Sequence, residues 1–180
     1  MSKNNPWKKL TSKVVYKNKW LVVREDQVLR PDGKPGIYGY VDVHPSVVII
    51  AQDADKKIFL IGQHRYTIDK YSWEFPAGGS EGKNLLLAAK RELEEEIGKK
   101  AKYWRKIGEL EPLKGYSNEI MAIFFATELE DGLTLATEGD EEISEVKKVT
   151  VAQFQQMIAQ GQITDGQTIA AFVLVQPYLS

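Results

Sequence analysis

The sequence predicts a mixed α/β fold (α+β) in which a sheet is packed between helices, and two observations carry this prediction. Short apolar runs bounded by turn residues, at 46–51 and 58–62, are typical of buried strands. Apolar residues at three- and four-residue spacing, at 86–97 and 166–176, are typical of amphipathic helices. Because the two kinds of segment are interspersed, we expect a sheet covered by helices.

The N-terminal part is predicted to be a separate antiparallel sheet. Strands are predicted at 13–16, 20–29 and 37–43, with a turn rich in Pro and Gly before the last of them. These strands have too few apolar residues to form a core of their own, so we expect the sheet to pack against another surface. We therefore divide the chain into an N-terminal sheet at 1–45 and a larger domain at 46–180.

The larger domain is predicted to contain six strands and three helices. The strands are expected at 46–51, 58–62, 73–75, 104–110, 120–128 and 146–150, and the helices at 85–97, 151–160 and 166–176. Asn84 is a good N-cap and Gly98 a good C-terminal stop for the first helix, and Thr164 or Asp165 can cap the third. The third helix is expected to bury Ile169, Ala170, Phe172, Val173 and Val175.

The composition is that of an ordinary globular chain. It has 180 residues, of which 43% are hydrophobic and 27% charged, with a formal net charge of −1. This charge gives no reason to expect nucleic acid or an anionic membrane as partner. The absence of cysteine excludes disulfides and thiol catalysis and fits a cytoplasmic location. We expect neither a secretory signal nor a membrane span, because no apolar run is long enough.

The end of the first helix carries a dense acidic cluster. Residues 91–98 read Arg-Glu-Leu-Glu-Glu-Glu-Ile-Gly. Glu92 and Glu96 are four apart and share a helix face, with Glu95 beside them, and all three are expected to lie mostly off the apolar stripe. Like charges so close together are unfavourable near the negative end of a helix. They either face water or are neutralised by a cation, and carboxylates suit Mg²⁺ or Mn²⁺.

The run Phe-Pro-Ala-Gly-Gly at 75–79, followed by this helix, resembles the signature of the Nudix hydrolases. The family pattern is a glycine, five residues, Glu, seven residues, then Arg-Glu-aliphatic-any-Glu-Glu-any-Gly-aliphatic. Its second half matches from Arg91 to Gly98. In the first half, Lys83 stands at the position of the family's first Glu, and Glu81 could replace it only in a redrawn loop. The resemblance covers about 46–180 and implies the same α/β/α sandwich.

Other strings resemble the branch of that family that hydrolyses ADP-ribose and nucleoside diphosphate sugars. Gln-His-Arg-Tyr at 63–66 and Trp-Glu-Phe-Pro-Ala-Gly at 73–78 match it, and the residues before 46 resemble its N-terminal sheet, which takes part in dimerisation. The resemblance implies that Arg65 contacts substrate phosphate and that Glu74 lies near the substrate or braces a neighbour. It implies a metal shell that consists of Glu92, Glu95, Glu96 and the carbonyl of Ala77.

Two acidic loops hold the candidate catalytic bases. Glu119 ends the string Gly-Tyr-Ser-Asn-Glu, which resembles a loop of the same branch, and Glu141 and Glu142 lie where relatives carry a glutamate that activates water. Each of these loops could equally be a solvated surface. Tyr38 and Tyr40, in the N-terminal sheet, are candidates for stacking on the substrate base, and packing is the alternative role for both.

The resemblance implies Mg²⁺-dependent hydrolysis of a nucleotide sugar such as ADP-ribose to a nucleoside monophosphate and a sugar phosphate. It also implies a homodimer formed through the N-terminal sheet. Two other functions stay open: a Nudix hydrolase of a dinucleotide or an oxidised nucleoside triphosphate, and a non-catalytic module that binds nucleotide sugars. Lys83 motivates the second, because a cation beside the metal shell opposes Mg²⁺.

Overall fold

Two units make up the chain, which we describe from a computed structural model covering residues 4–133 and 143–179. The first unit comprises Met1–Val43 and Leu113–Glu119, and the second comprises His44–Pro112 and Ile120–Ser180. The division into domains at 1–45 and 46–180 remains a prediction about independent folding.

The first unit is built on an antiparallel sheet in the order β1-β2-β3. Its strands are β1 (Lys8–Lys17), β2 (Val22–Leu29) and β3 (Pro35–Asp42). The strand predicted from Trp20 begins two residues later, because Asn18 closes a turn there: its Oδ1 accepts from the backbone N–H groups of Trp20 and Leu21, each at 2.8 Å. Every residue of β1 is exposed.

The segment 113–119 joins this unit through hydrogen bonds to β3 and the residue after it. The Val41 N–H donates to the carbonyl of Tyr116 at 2.8 Å. Asn118 donates its side-chain amide to Asp42 at 2.7 Å and accepts from the Val43 N–H at 3.0 Å. The loop that ends at Glu119 is thereby anchored at the end of β3.

The second unit contains seven strands and three α-helices in its described residues. The strands are β4 (Ser46–Ala51), β5 (Ile58–Arg65), β6 (Lys70–Glu74), β7 (Ala77–Gly79), β8 (Lys99–Leu110), β9 (Met121–Asp131) and β10 (Ile143–Val149). The helices are α1 (Leu85–Ile97), α2 (Val151–Ala159) and α3 (Gly166–Val175). Short 3₁₀ turns occur at Tyr66–Ile68 and Gln176–Tyr178. None of the helices in this described part is long and apolar enough to span a bilayer.

The strands of the second unit form two hydrogen-bonded sheets, ordered β10-β5-β6 and β7-β4-β9-β8. The second sheet is mixed, because β4 and β9 run parallel and the other pairs are antiparallel. Strand β7 is not predicted by the sequence, since Ala-Gly-Gly has neither the length nor the side chains that mark a strand. It pairs with β4 nonetheless, with Gly78 opposite Val47.

Alternation along the strands creates a core on each side of these sheets. On β4, Val47 and Ile49 face a cluster that includes Leu93 of α1, whereas Val48 and Ile50 face a cluster formed with α2 and α3. The predicted mixed α/β sandwich is confirmed, with the difference that its strands form two sheets instead of one.

Both predicted ends of α1 are confirmed. The Asn84 side chain accepts hydrogen bonds from the N–H groups of Leu86 and Leu87, at 2.9 and 3.2 Å. Gly98 ends the helix with a φ of 63°, a left-handed conformation that favours glycine.

The end of the chain corrects one prediction. Asp165 caps α3 by accepting from the Thr168 N–H at 2.7 Å. Phe172 and Val175 are buried as predicted, and Ala171 is buried as well. Ile169 and Ala170 are only half-buried, and Val173 is 60% exposed. The inward face of α3 is therefore narrower than its apolar sequence suggests.

The cap at Asn84 generates a stability prediction. Replacing Asn84 with Ala removes the acceptor for two helix N–H groups, so we expect a loss of about 1 kcal/mol, or about 2–4 °C in Tm. Asn84→Asp keeps an oxygen acceptor and is expected to melt within about 1 °C of the wild type. Thermal unfolding followed by circular dichroism checks both, and equal melting of the two variants would contradict the assigned cap.

Candidate active site

Helix α1 buries two of its glutamates. Glu92 and Glu96 are each 8% exposed, the same as the apolar Ile97. The sequence pattern predicts that both lie off the buried stripe, but the buried face of α1 is wider than the apolar residues alone indicate. Glu96 Oε2 accepts a hydrogen bond from the backbone N–H of Ala77 at 2.9 Å, which ties this carboxylate to the start of β7. Two acids on consecutive helix turns are thus held close to the sheet.

Arg91 bridges the neighbouring carboxylates. Its Nη1 donates to Glu95 at 2.7 Å, which confirms the predicted i, i+4 pair, and its Nη2 donates to Glu92, also at 2.7 Å. The same Nη2 donates to the carbonyl of Gly79 at 3.0 Å, at the end of β7. Burial lowers the pKa of Arg91, but the negative charges of Glu92 and Glu95 outweigh burial and raise the pKa above its usual value.

Glu92 packs directly against the backbone of β7. A Cβ atom added at Gly78 would lie 2.0 Å from Glu92 Oε1 and 2.2 Å from Glu92 Cδ. At Gly79, the added atom would meet nothing within 4 Å. Neither residue has a positive φ, so steric room alone distinguishes them. Gly78 is therefore the residue that lets this carboxylate approach the strand, and the sequence pattern alone had not shown why the glycine is needed.

The buried acids have the chemistry of a site for a hard divalent cation. They offer carboxylate oxygens at low exposure, where an uncompensated negative charge is costly. Across residues 4–133 and 143–179, however, no three acidic or histidine side chains converge as a ready group of metal ligands. Arg91 donates to Glu92 and Glu95, and the Ala77 N–H donates to Glu96. The carboxylate oxygens are of the type that Mg²⁺ prefers as ligands, and in this structure they accept hydrogen bonds from protein donors.

Lys83 is paired at the surface. Its ammonium group donates to Glu81 Oε2 at 2.7 Å, and both side chains are well exposed. This hydrogen bond, helped by the charge of Arg91, keeps the pKa of Glu81 below its usual value. Glu81 and Gly82 have φ values of 52° and 75°, so two left-handed residues make the short turn before α1. The charge of Lys83 is met by a neighbour in the same turn.

Arg65 and Glu74 form an ion pair across β5 and β6. Arg65 Nε donates to Glu74 Oε1 at 3.0 Å, and Arg65 Nη2 donates to Glu74 Oε2. Glu74 is 7% exposed and accepts both bonds, and its role beside the substrate stays a prediction. The pair lines a cavity of about 430 Å³ together with Ser72 and the residues around the start of α3, Thr164–Gln167.

Several predicted site residues lie outside this cluster. Tyr38, Tyr40 and Glu119 belong to the first unit, where Tyr38 packs edge-on against Trp7 with ring centroids 5.6 Å apart. Their roles in stacking and catalysis therefore stay predictions. Glu141 and Glu142 fall outside the residues that the structure describes.

The whole chain can be compared with known proteins. Residues 7–41 match the family model of the nucleoside diphosphate sugar hydrolase N-terminal domain, and residues 42–172 match that of the NUDIX domain. The ADP-ribose pyrophosphatase of Mycobacterium tuberculosis is 27% identical over 168 residues, which cover 92% of this chain and 81% of the relative. That of Bacillus subtilis is 28% identical over 170 residues, which cover 94% and 92%.

A solved structure described as an ADP compounds hydrolase superposes with a TM-score of 0.83. The match covers 99% of this chain and 97% of that one, at 18% sequence identity. At this identity the likeness establishes the fold, and it extends over both units of the chain.

The close approach of Glu92 to Gly78 generates a prediction about cation binding. In Gly78→Ala the added methyl group must displace the carboxylate, so we expect Mn²⁺ binding to weaken about tenfold or more. Gly79→Ala, one residue along the same strand, is the matched control and should bind as the wild type does. Titration followed by electron paramagnetic resonance measures free Mn²⁺. Equal affinity in the two variants would contradict the role assigned to Gly78.

Proposed function

The chain belongs to the Nudix hydrolase family, and from this membership we propose that it hydrolyses the diphosphate bond of a nucleoside diphosphate sugar such as ADP-ribose. Water attacks one phosphorus, the bond to the bridging oxygen breaks, and the products are a nucleoside monophosphate and a sugar phosphate. The observation that carries the proposal is the pair of buried carboxylates, Glu92 and Glu96, held against β7 in the unit that also contains Arg65.

The main barrier to this reaction is electrostatic, because a diphosphate repels an incoming anion. Glu92, Glu95, Glu96 and the Ala77 carbonyl are the groups that would hold Mg²⁺, with Mn²⁺ as an alternative. Such an ion, when bound, offsets phosphate charge and acidifies a coordinated water. The chain itself keeps Glu96 in place through the Ala77 N–H and orients Glu92 and Glu95 through the fork of Arg91.

Arg65 is proposed to orient the diphosphate. Its planar guanidinium presents parallel donors that match phosphate oxygens. Glu74 fixes the plane of that group through two hydrogen bonds, so little side-chain freedom is lost when a substrate binds. A glutamate from one of the loops, Glu119, Glu141 or Glu142, would take the proton from the attacking water. Tyr38 and Tyr40 are proposed to contact the base.

The preference for a nucleotide sugar rests on the relatives. Two curated relatives that span most of this chain are named ADP-ribose pyrophosphatases, and the first 35 matched residues belong to a family named for nucleoside diphosphate sugar hydrolases. The alternative function, a non-catalytic binding module, rests on Lys83. The pairing of Lys83 with Glu81 leaves that argument weak, since the lysine charge is met locally.

We also propose a cytoplasmic homodimer formed through the N-terminal sheet. Strand β1 is exposed along its whole length and carries apolar side chains, among them Leu10, Val15 and Tyr16, which are 50–55% exposed. Apolar side chains exposed along an edge strand are typical of a protein–protein contact. A second copy of this chain is the partner we assign to it, and no membrane or nucleic acid is part of the proposal.

The first test is turnover of ADP-ribose with Mg²⁺, followed by chromatography of the products. We expect AMP and ribose phosphate from the wild type, and a loss of about 100-fold or more in Glu96→Gln, which keeps the shape and removes the charge. Glu94→Gln is the matched control on α1, because Glu94 pairs with Lys100 and the Leu133 N–H away from the cluster. Full activity in Glu96→Gln would refute the assignment.

The same assay separates the alternatives. A panel of nucleotide sugars, dinucleotides and an oxidised nucleoside triphosphate identifies the substrate class by the products released. A pure binding module would leave every compound intact while its Tm rises with ligand.

The exposed β1 generates a prediction about assembly. A charge placed on its apolar surface, in Val15→Glu, should convert a dimer into a monomer of 20.4 kDa, because an unpaired charge is costly in a contact surface. Val173→Glu is the matched control, since Val173 is a similarly exposed valine on α3. Sedimentation velocity measures both. A wild type that sediments as a monomer at micromolar concentration would overturn the proposed assembly.

A further inference from the structure

Gln63 lies on the face of β5 that is turned toward α1. Along this strand, Phe59 and Ile61 belong to the core cluster that contains α1, and residues two apart share a face. Gly62 belongs to the opposite face, since a Cβ atom added there would meet Tyr71 and Trp73. The side chain of Gln63 therefore shares its side of the sheet with Arg65 and with the buried acids of α1.

The amide of Gln63 is buried without a hydrogen-bond acceptor. The residue is 3% exposed, and its Nε2 atom has no partner anywhere in the described ranges 4–133 and 143–179. A buried amide N–H that donates to nothing is rare in folded proteins, because it has given up water and received no replacement. Gln52 shows the ordinary case: it is also 3% exposed, and its Nε2 donates to the Lys56 carbonyl at 3.4 Å.

The Arg65–Glu74 pair passes over the position of Gln63. Gln63 lies opposite Ser72, whereas Arg65 lies opposite Lys70 and Glu74 lies opposite Ile61. The ion pair thus reaches along the sheet from one side of the Gln63–Ser72 row to the other. Ser72 lines the same cavity as Arg65 and Glu74. Gln63 thus shares a strand face with Arg65, the residue to which phosphate binding is assigned, and is paired with a residue that lines the cavity.

We propose that the Gln63 amide is a second donor for the substrate, and that its acceptor is a phosphate oxygen of the nucleoside diphosphate that Arg65 holds. The inference rests on the proposed function and adds a specificity-determining residue to it. The free protein carries an unsatisfied donor, and the substrate satisfies it. Gln63 thereby favours ligands that place a phosphate oxygen beside Arg65 over ligands that lack one.

The test uses Gln63→Met, which keeps the length of the side chain and removes both donors. We expect the free variant to melt about 2–6 °C higher than the wild type, because an unpaired donor has been removed. Its KM for ADP-ribose with Mg²⁺ should rise about 10- to 100-fold, with kcat within about threefold. Gln52→Met is the matched control: it removes a partnered amide, so its Tm should fall and its KM should stay unchanged.

The two readouts together decide the inference. A Gln63→Met variant that melts lower than the wild type overturns it, because the amide was then already bonded in the free protein. A higher Tm with an unchanged KM also overturns it, since the donor would then be unsatisfied but unused by substrate.

Failure of the proposed function is recognised separately. If the wild type hydrolyses none of the nucleotide sugars, ADP with Mg²⁺ serves as the probe in a thermal-shift titration. ADP should then raise the Tm of the wild type more than that of Gln63→Met, and equal shifts would overturn the role of Gln63.

Discussion

The contact between α1 and β7 is the constraint on which the site depends. Glu96 accepts the N–H of Ala77, Glu92 fits against the open side of Gly78, and Arg91 reaches the carbonyl of Gly79. Three side chains of α1 thus contact the three residues of β7. Strand β7 is fixed by its hydrogen bonds to β4, whose residues are all buried. Contact with β7 therefore holds the carboxylates in place and keeps them out of water.

Local features of this arrangement could be predicted from the sequence. The Asn84 cap, the Gly98 stop and the Arg91–Glu95 pair depend only on residues within one or two helix turns, and all three are confirmed. The burial of Glu92 and Glu96 could not be predicted in this way, because it depends on a strand of Ala-Gly-Gly that carries no periodic signal. The prediction that Val173 is buried was wrong for a related reason: the apolar character of a side chain does not show whether another layer of the structure covers it.

The non-local parts of the site depend on strand register. Arg65 and Glu74 could each be singled out by their surrounding strings, yet their ion pair requires β5 and β6 to pair in one register, which spacing alone does not establish. The unsatisfied amide of Gln63 is likewise invisible in the sequence, since a glutamine looks the same whether or not it has a partner. Gln52 is an equally buried glutamine, and its side-chain amide does donate a hydrogen bond. The family resemblance predicts the type of reaction and the candidate residues, and packing decides which of these residues can act together.

Under the proposed function, the anchored carboxylates and the braced arginine would hold a diphosphate and its cation once the carboxylates exchange their present protein partners. The most direct measurement of this account is anomalous diffraction from a crystal grown with Mn²⁺ and a non-hydrolysable ADP-ribose analogue. We predict a manganese peak in coordination contact with the carboxylates of Glu92 and Glu96, with the diphosphate between the metal and Arg65. A bound diphosphate with manganese at another site, and with both carboxylates still in their hydrogen bonds to Arg91 and Ala77, would contradict the account.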